Sequence, residues 1–368
     1  MRIAFYAPLK PPDHPVPSGD RQVARLLIAA LCRSGHEVAL ASRLRSFDGA
    51  GDPRQQARLM ARGQRIAESL VRRWREDRSA MPELWFTYHL YYKAPDWLGP
   101  AICDTLGIPY VVAEASFAAK RAVGAWAQNH RAVERALRRA AAVIGLNSAD
   151  RAGVMPLLAD PGRWVALAPF IDTSRYAPAA RDPTRPVRLI CVAMMRPGDK
   201  LASYRVLGAA LARLTDLKWS LDIIGDGPAR AAVAAALMPL GGRVDWLGAL
   251  PGAAVAEHLA RADICVWPAI NEAFGMALLE AQASGLPVVA GNSGGVADII
   301  APGVTGILAP SGDADAFAAA LRGLIADPVR RAAMAAAALS KARREHDLAA
   351  AASRLDGVVA ALGRARAA

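Results

Sequence analysis

"NEAFGMALLEAQASGLPVVAGNSGGVADII", residues 271–300, holds two acids eight positions apart in a run that otherwise reads as core. Glu272 precedes a Phe-Gly pair, and Glu280 stands among Ala277, Leu278, Leu279 and Ala281. The run before it, "RADICVWPAI", ends a strand. The order is therefore strand, loop, helix from about Phe274 to Ser284, with Gly285 as the stop, then a second strand in "LPVVA". Such a helix opens with free N–H groups, here on Phe274, Gly275 and Met276, which favour an anion. Gly275 also lets a ligand approach the backbone. Burying Glu280 without donors would cost on the order of several kcal/mol. Either it lies on a solvated helix face, or a ligand with paired hydroxyls, such as a ribose, supplies the donors.

The same strand–helix rhythm extends outward through the chain. Strand candidates are Ile3–Tyr6, Glu37–Ala41, Leu84–Tyr88, Tyr110–Ala113, Ala142–Leu146 and Trp164–Leu167 in the first half. In the second they are Val187–Val192, Ser220–Ile224, Val244–Leu247, Ile264–Trp267, Pro287–Ala290 and Gly306–Leu308. Helical patterns between short apolar runs mean βαβ units and parallel sheets covered on both faces. With 368 residues the chain is long enough for two such domains. Domains are expected over 1–171 and 187–340, with a proline-bearing connection at 172–186 and a terminal helix over 341–368 that packs back on the first domain. Two doubly wound domains place ligands at the carboxyl ends of their strands, here in a cleft between the two.

Composition narrows the function classes. The content is 54% hydrophobic and 21% charged, which excludes wholesale disorder. No run of about 18 apolar residues would span a bilayer. The N-terminal "MRIAFYAPLKPPDHP" is cut by prolines before a leader could form, so a cytoplasmic location is expected. Cys32, Cys103, Cys191 and Cys265 lie too far apart in sequence for a metal or disulfide framework. The net charge of +12 falls mostly in residues 1–170, with 24 Lys+Arg against 15 Asp+Glu. Its densest part, residues 52–78, places Arg54, Arg58, Arg62, Arg65, Arg72 and Arg73 on one helical arc, opposite Leu59, Met60, Ile66, Ala67, Leu70, Val71 and Trp74. That helix either packs its apolar arc on the core or lies against an anionic membrane surface. Nucleic acid is not expected, because the basic stretch lacks interleaved aromatics.

Two further loops carry chemistry. "IIGDGPAR" (223–230) runs a strand into glycines, Gly225 and Gly227, and then a helix, a turn that admits a ligand to the backbone. "CVAMMRPGDKLASY" (191–204) puts Arg196 and Lys200 at a strand's carboxyl end, where two cations suit a diphosphate or form an ordinary polar loop.

Taken together, the Glu272/Glu280 pair, "GLPVVAGNSGGVADII", "GVTGIL", "IIGDGPAR", "VDWLGAL", "RADICVWPA" and "LAPFIDTSRYAP" resemble the C-terminal domain of family 4 glycosyltransferases. "PSGDRQVARLLIAALCRSGHEVALAS" resembles their N-terminal domain more loosely. The resemblance implies an α/β, GT-B fold of two Rossmann-like, doubly wound domains facing a central cleft. It implies a retaining transfer of sugar from a UDP- or GDP-linked nucleotide-sugar donor to a saccharide or lipid-linked acceptor in glycan synthesis, with no cofactor and no metal. By position, Glu280 would bind ribose hydroxyls, and Glu272 with Asn271, Ala273, Phe274, Gly275 and Met276 would hold the sugar. Arg196 and Lys200 would neutralise the diphosphate, with Gly19 and Gly225 close by. Glu114 matches a family stretch, "GIPYVVAEAS", that usually ends Glu-His, but Ala115 replaces the histidine. His89, in "LWFTYHLYY", is a candidate to fill that space, with Asp20 beside Gly19 on the acceptor side. Asp313-Ala-Asp315 is read as a helix cap rather than a metal site. Rival readings are a decayed nucleotide-sugar-binding or membrane scaffold and a sugar-nucleotide epimerase on the same fold. A nicotinamide enzyme would need a Gly-x-Gly-x-x-Gly turn, and no strand here is followed by one.

Overall fold

Every one of the twelve anticipated strands forms, and each end lies within two residues of its expected place. The computed structural model describes residues 1–16, 18–180 and 184–367. In chain order the first elements are β1 (Arg2–Tyr6), α1 (Gly19–Arg33), β2 (Glu37–Ser42), α2 (Pro53–Glu76), β3 (Leu84–Leu90) and α3 (Gly99–Leu106). Then come β4 (Tyr110–Ala115), α4 (Ala127–Arg139), β5 (Ala142–Gly145), α5 (Arg151–Val154) and β6 (Trp164–Ala166). The second half runs β7 (Val187–Val192), α6 (Asp199–Leu211), β8 (Trp219–Ile224), α7 (Arg230–Leu237), β9 (Val244–Gly248), α8 (Gly252–Arg261) and β10 (Ile264–Trp267). It closes with α9 (Met276–Ala283), β11 (Val288–Asn292), α10 (Val296–Ile299), β12 (Gly306–Pro310), α11 (Ala314–Ala326), α12 (Pro328–Glu345) and α13 (Leu348–Ala367).

Two units result. The first is residues 1–168 with 348–368, and the second is 169–347. Each holds one six-stranded sheet, in the orders β2-β1-β3-β4-β5-β6 and β12-β11-β10-β7-β8-β9. All the strand pairings are parallel. Strands such as β3 and β10 are buried almost end to end, because helices cover both faces. In each sheet the chain winds outward in both directions from a central pair, β1/β3 in one unit and β7/β10 in the other. Loops at those switch points diverge and leave space for a ligand.

The basic helix resolves one alternative. In α2 the side of Ala67, Leu70, Val71 and Trp74 is buried in the first unit's core, with Leu59 and Ile66 partly so. Arg54, Arg58, Arg62, Arg65, Arg72 and Arg73 all face solvent. The apolar arc is therefore already used by the core. Asp52 caps the helix, its Oδ1 accepting from the Arg54 amide at 2.9 Å.

The terminal helix begins at Leu348 rather than at 341, because α12 runs to Glu345 within the second unit. Inside the first unit α13 lies on α1: Ser34 Oγ donates to the Ala352 carbonyl at 3.1 Å, and His36 Nε2 stands 3.2 Å from Asp356. The expected connection at 172–186 is, in its described residues, part of the second unit. Asp172 caps a 3₁₀ turn, Ala179 donates to the Ala260 carbonyl at 3.2 Å, and Arg185 pairs with Asp263. Residues 181–183 of that stretch lie outside the described residues.

Candidate functional site

Among the described residues, four non-glycine residues have left-handed backbone: His89 (φ 63°), Glu114 (φ 57°), Ala269 (φ 53°) and Asn271 (φ 50°). Such conformations cost on the order of 1–3 kcal/mol each and concentrate where function holds them. All four stand at the carboxyl ends of strands beside the switch points: β3 and β4 in the first unit, β10 in the second.

In the second unit the loop after β10 folds back on the start of α6. Glu272 Oε2 accepts from Lys200 Nζ at 2.5 Å and from the Trp267 indole at 3.0 Å. Lys200 Nζ also lies 5.1 Å from the Trp267 ring centroid, a cation–π contact. Asn271 Nδ2 donates to Asp199 at 2.9 Å, and the Ile270 amide donates to Ser203 Oγ at 3.0 Å. The loop's other side is held by the glycines of "NSGG". Gly295 donates to the Ala273 carbonyl at 3.0 Å, and a Cβ on Gly294 would meet the Glu272 carbonyl oxygen at 2.0 Å. Glu272, Lys200 and Asn271 are thereby brought to one place.

The helix that follows starts later than expected. Gly275 has φ 76°, which ends any right-handed helix on its N-terminal side, so α9 begins at Met276 and Phe274 belongs to the loop. Glu280 lies one turn in, and its carboxyl is pushed up to about 7 by burial, against the Tyr176 hydroxyl and the charge of Arg175. Tyr176 is a residue to which the sequence pattern gives no role. The segment after β6 brings its hydroxyl to the Glu280 carboxyl, where it works against the rise that burial imposes. Its only signal in sequence is its place in "DTSRYAP".

Arg196 and Lys200 separate in character. Arg196 is exposed and, among the described residues, has no ion pair, whereas Lys200 is anchored. Gly225 has a structural use. Its φ is 143°, and a Cβ there would lie 1.9 Å from the Ala193 carbonyl oxygen. The glycine turn therefore admits the loop after β7 rather than open space. Asp313 caps α11 through the Ala316 amide at 2.9 Å, and Asp315 pairs with Arg213.

In the first unit β3 and β4 bring His89 and Glu114 together at the start of α1. His89 Nδ1 is 3.2 Å from Asp20 and 3.6 Å from Glu114. Burial alone would lower the His89 pKa, but Glu114 and Asp20 outweigh it and raise it to about 9. Burial raises Glu114 to about 6, with His89 opposing. Each group thus favours the charged form of the other. The ion-pair distances are poorly aligned for hydrogen bonding: Tyr88 Oη, His89 Nδ1 and Glu114 Oε2 are buried and complete no hydrogen bond. A Cβ added to Gly19, which opens α1, would meet nothing within 4 Å, and this leaves room beside Asp20. Ala115, where a histidine was expected, is buried and pairs with Leu90 in the sheet.

A family model described as glycosyl transferases group 1 matches residues 186–327. That segment, well under half of the chain, is thus similar to the group 1 glycosyl transferases. Curated relatives include a D-inositol 3-phosphate glycosyltransferase of Rhodococcus opacus, 32% identical over 196 residues, 49% of this chain and 44% of the relative. A GDP-mannose-dependent alpha-(1-6)-phosphatidylinositol monomannoside mannosyltransferase of Mycolicibacterium smegmatis is 32% identical over 46% of this chain and 49% of its own. The matches thus span less than half the length of these relatives. Among solved structures, the sucrose-phosphate synthase of Thermosynechococcus elongatus has a TM-score of 0.74 at 20% identity, over 99% of this chain and 100% of that one. HepE of Anabaena, solved with UDP, has a TM-score of 0.74 at 18% identity, over 98% and 100% of the two chains. The fold is GT-B, with two Rossmann-like units.

Proposed function

We propose that the protein is a retaining glycosyltransferase that moves a sugar from a nucleotide-sugar donor to a saccharide or lipid-linked acceptor. The observation that carries this is the bonded set Glu272–Lys200–Trp267 at the second unit's switch point, with the half-buried Glu280 on the helix that follows. The relatives' and neighbours' names supply the donor class: one mannosyltransferase is GDP-mannose-dependent, and HepE was solved with UDP and with UDP-glucose. Glu280 in its ionised form, beside the Tyr176 hydroxyl, accepts the two ribose hydroxyls. Glu272 and the backbone of residues 273–276 hold hydroxyls of the sugar. Lys200 and Arg196 neutralise the diphosphate.

The bond between the sugar's anomeric carbon and the diphosphate oxygen breaks, and the acceptor oxygen takes its place on the same face. The acceptor's proton passes to the departing diphosphate, so no general base is required. Stabilising the developing diphosphate charge is then the main catalytic contribution, typically about 100- to 1000-fold per well-placed donor. No metal takes part in this reading.

The exposed arginines of α2 offer a contact for an anionic membrane face, one that leaves the helix's apolar side in the core. Anionic liposomes that fail to co-sediment with the protein would remove that element.

The main test is calorimetric titration with UDP, GDP, ADP and CMP in EDTA, repeated on Glu280→Ala. Binding of one nucleotide, weakened by about 1 kcal/mol or more in the variant, supports the reading. Folded protein that binds none of the four leaves the scaffold reading in its place.

A further inference from the structure

The first unit carries a second series of groups that the donor chemistry does not use. From His89 the rings run on without a gap: His89 to Tyr91 at 5.0 Å between centroids, Tyr91 to Tyr92 at 5.6 Å, and Tyr92 to Trp126 at 5.1 Å. Two cations are laid on the outer end of this series. The Arg121 guanidinium is 4.8 Å from the Tyr92 centroid, and Lys93 Nζ is 5.9 Å from Tyr92 and 5.8 Å from Trp126. Among the described residues, neither cation has a carboxylate partner.

The backbone beside Trp126 is pinned at the outer end. Buried Gln56 donates to Asp48 at 3.0 Å and to the Ala125 carbonyl at 2.9 Å, and Gly51 lacks the Cβ that would collide with Ala125 and press on Trp126. Aromatic faces and these pins hold the cations in place, so ordering them on binding loses little entropy. The inner end is incomplete in the opposite sense. Glu114 is 7% exposed, and its Oε2 completes no hydrogen bond, nor does the Tyr88 hydroxyl. Buried polar atoms of this kind normally have partners.

Resting on the glycosyltransferase reading, we infer that this series is the acceptor subsite and that the acceptor is a saccharide bearing an anionic group. Hydroxyls of the acceptor donate to Glu114 and Asp20 at the inner end. The rings of Tyr91 and Trp126 line the sugar's path, and a carboxylate or phosphate on the acceptor is held by Lys93 and Arg121. The charges favour that orientation: Glu114, Asp20 and Asp150 gather around His89 at the inner end, with Lys10 near Asp20 and Arg45 near Tyr91, whereas the outer end carries Lys93 and Arg121.

The test uses the full chain and no donor. Fluorescence and calorimetric titrations compare a glucuronate-containing disaccharide, a hexose 6-phosphate and an uncharged disaccharide, on the wild type, Trp126→Ala and Arg121→Gln. At least one anionic sugar is expected to bind about tenfold tighter than the uncharged one, and Arg121→Gln to abolish that difference, as loss of a charge-assisted bond should. The two anionic probes separate a uronate from a phosphate. UDP and GDP titrations on the same variants should match wild type, which shows them folded and keeps the donor reading separate. If no anionic sugar binds more tightly than the neutral one, or if Arg121→Gln retains the preference, the inference falls, whatever the nucleotides do.

Discussion

The two switch points are built alike and finished differently. In the second unit Glu272 has its donors in the chain, Lys200 and Trp267, and Glu280 has the Tyr176 hydroxyl and the charge of Arg175 beside it. In the first unit the buried atoms Glu114 Oε2, His89 Nδ1 and Tyr88 Oη stand near one another without closing a hydrogen bond. A closed constellation suits a ligand of fixed chemistry, since its geometry is set before binding. An incomplete one requires that the ligand supply the missing bonds, so the first unit is where specificity can change without rebuilding the fold.

The largest expected effect would come from breaking the closed side. Glu272→Gln keeps the shape but removes the charge that holds Lys200, and should lower kcat about 100-fold in a transfer assay. If Glu272→Gln instead leaves kcat within a factor of two or so, the second unit is not the donor side. The matching variant in the first unit, Glu114→Gln, should act mainly on KM for the acceptor.

Glycines sharpen the contrast next. Gly225→Ala drives a Cβ into the Ala193 carbonyl at a left-handed φ, and should destabilise by about 1–3 kcal/mol in urea denaturation. Gly19→Ala meets open space and should change stability by less than about 0.5 kcal/mol. Equal midpoints for the two variants would contradict the packing described for the glycine turn.

A smaller effect is set by pH. In the proposed donor site the ribose hydroxyls need the ionised form of Glu280, whose pKa is raised to about 7, so nucleotide affinity should climb as pH rises through that value. Glu280→Gln should flatten the profile and bind about tenfold more weakly at pH 8. A wild-type profile that falls over the same range would exclude a carboxylate acceptor.

The smallest effect is on stability. The His89 pKa is raised from 6.5 to about 9, so its stabilising share is complete below pH 6.5 and is lost as pH rises through about 9. The Tm of the wild type should therefore fall between pH 7 and pH 10, and more steeply than that of His89→Gln. Parallel curves would mean that His89 is not charged in the folded protein.

How much of this is legible beforehand depends on the range of the interaction. Apolar runs of about four to six residues between helical patterns locate all twelve strands, because burial on both faces of a parallel sheet leaves a local signature. The start of α9 falls two residues later than its pattern predicts. The left-handed turn at Gly275 depends on the loop being pulled against Gly294 and Gly295, which no local pattern shows. His89 is a candidate by position alone, and Tyr176 is not one at all, since its partner lies 104 residues further on.

The sequence by itself determined the tandem α/β architecture, the basic face of α2 and the acids at 272 and 280. Those follow from periodicity and from residue types that water and core sort locally. Only the tertiary structure decided that the apolar arc of α2 is spent on the core, that the glycine turn makes room for the Ala193 carbonyl, and that Asp20, His89 and Glu114 converge. Those outcomes depend on strands distant in sequence being paired in one sheet, which sets side chains from β3, β4 and α1 close to one another.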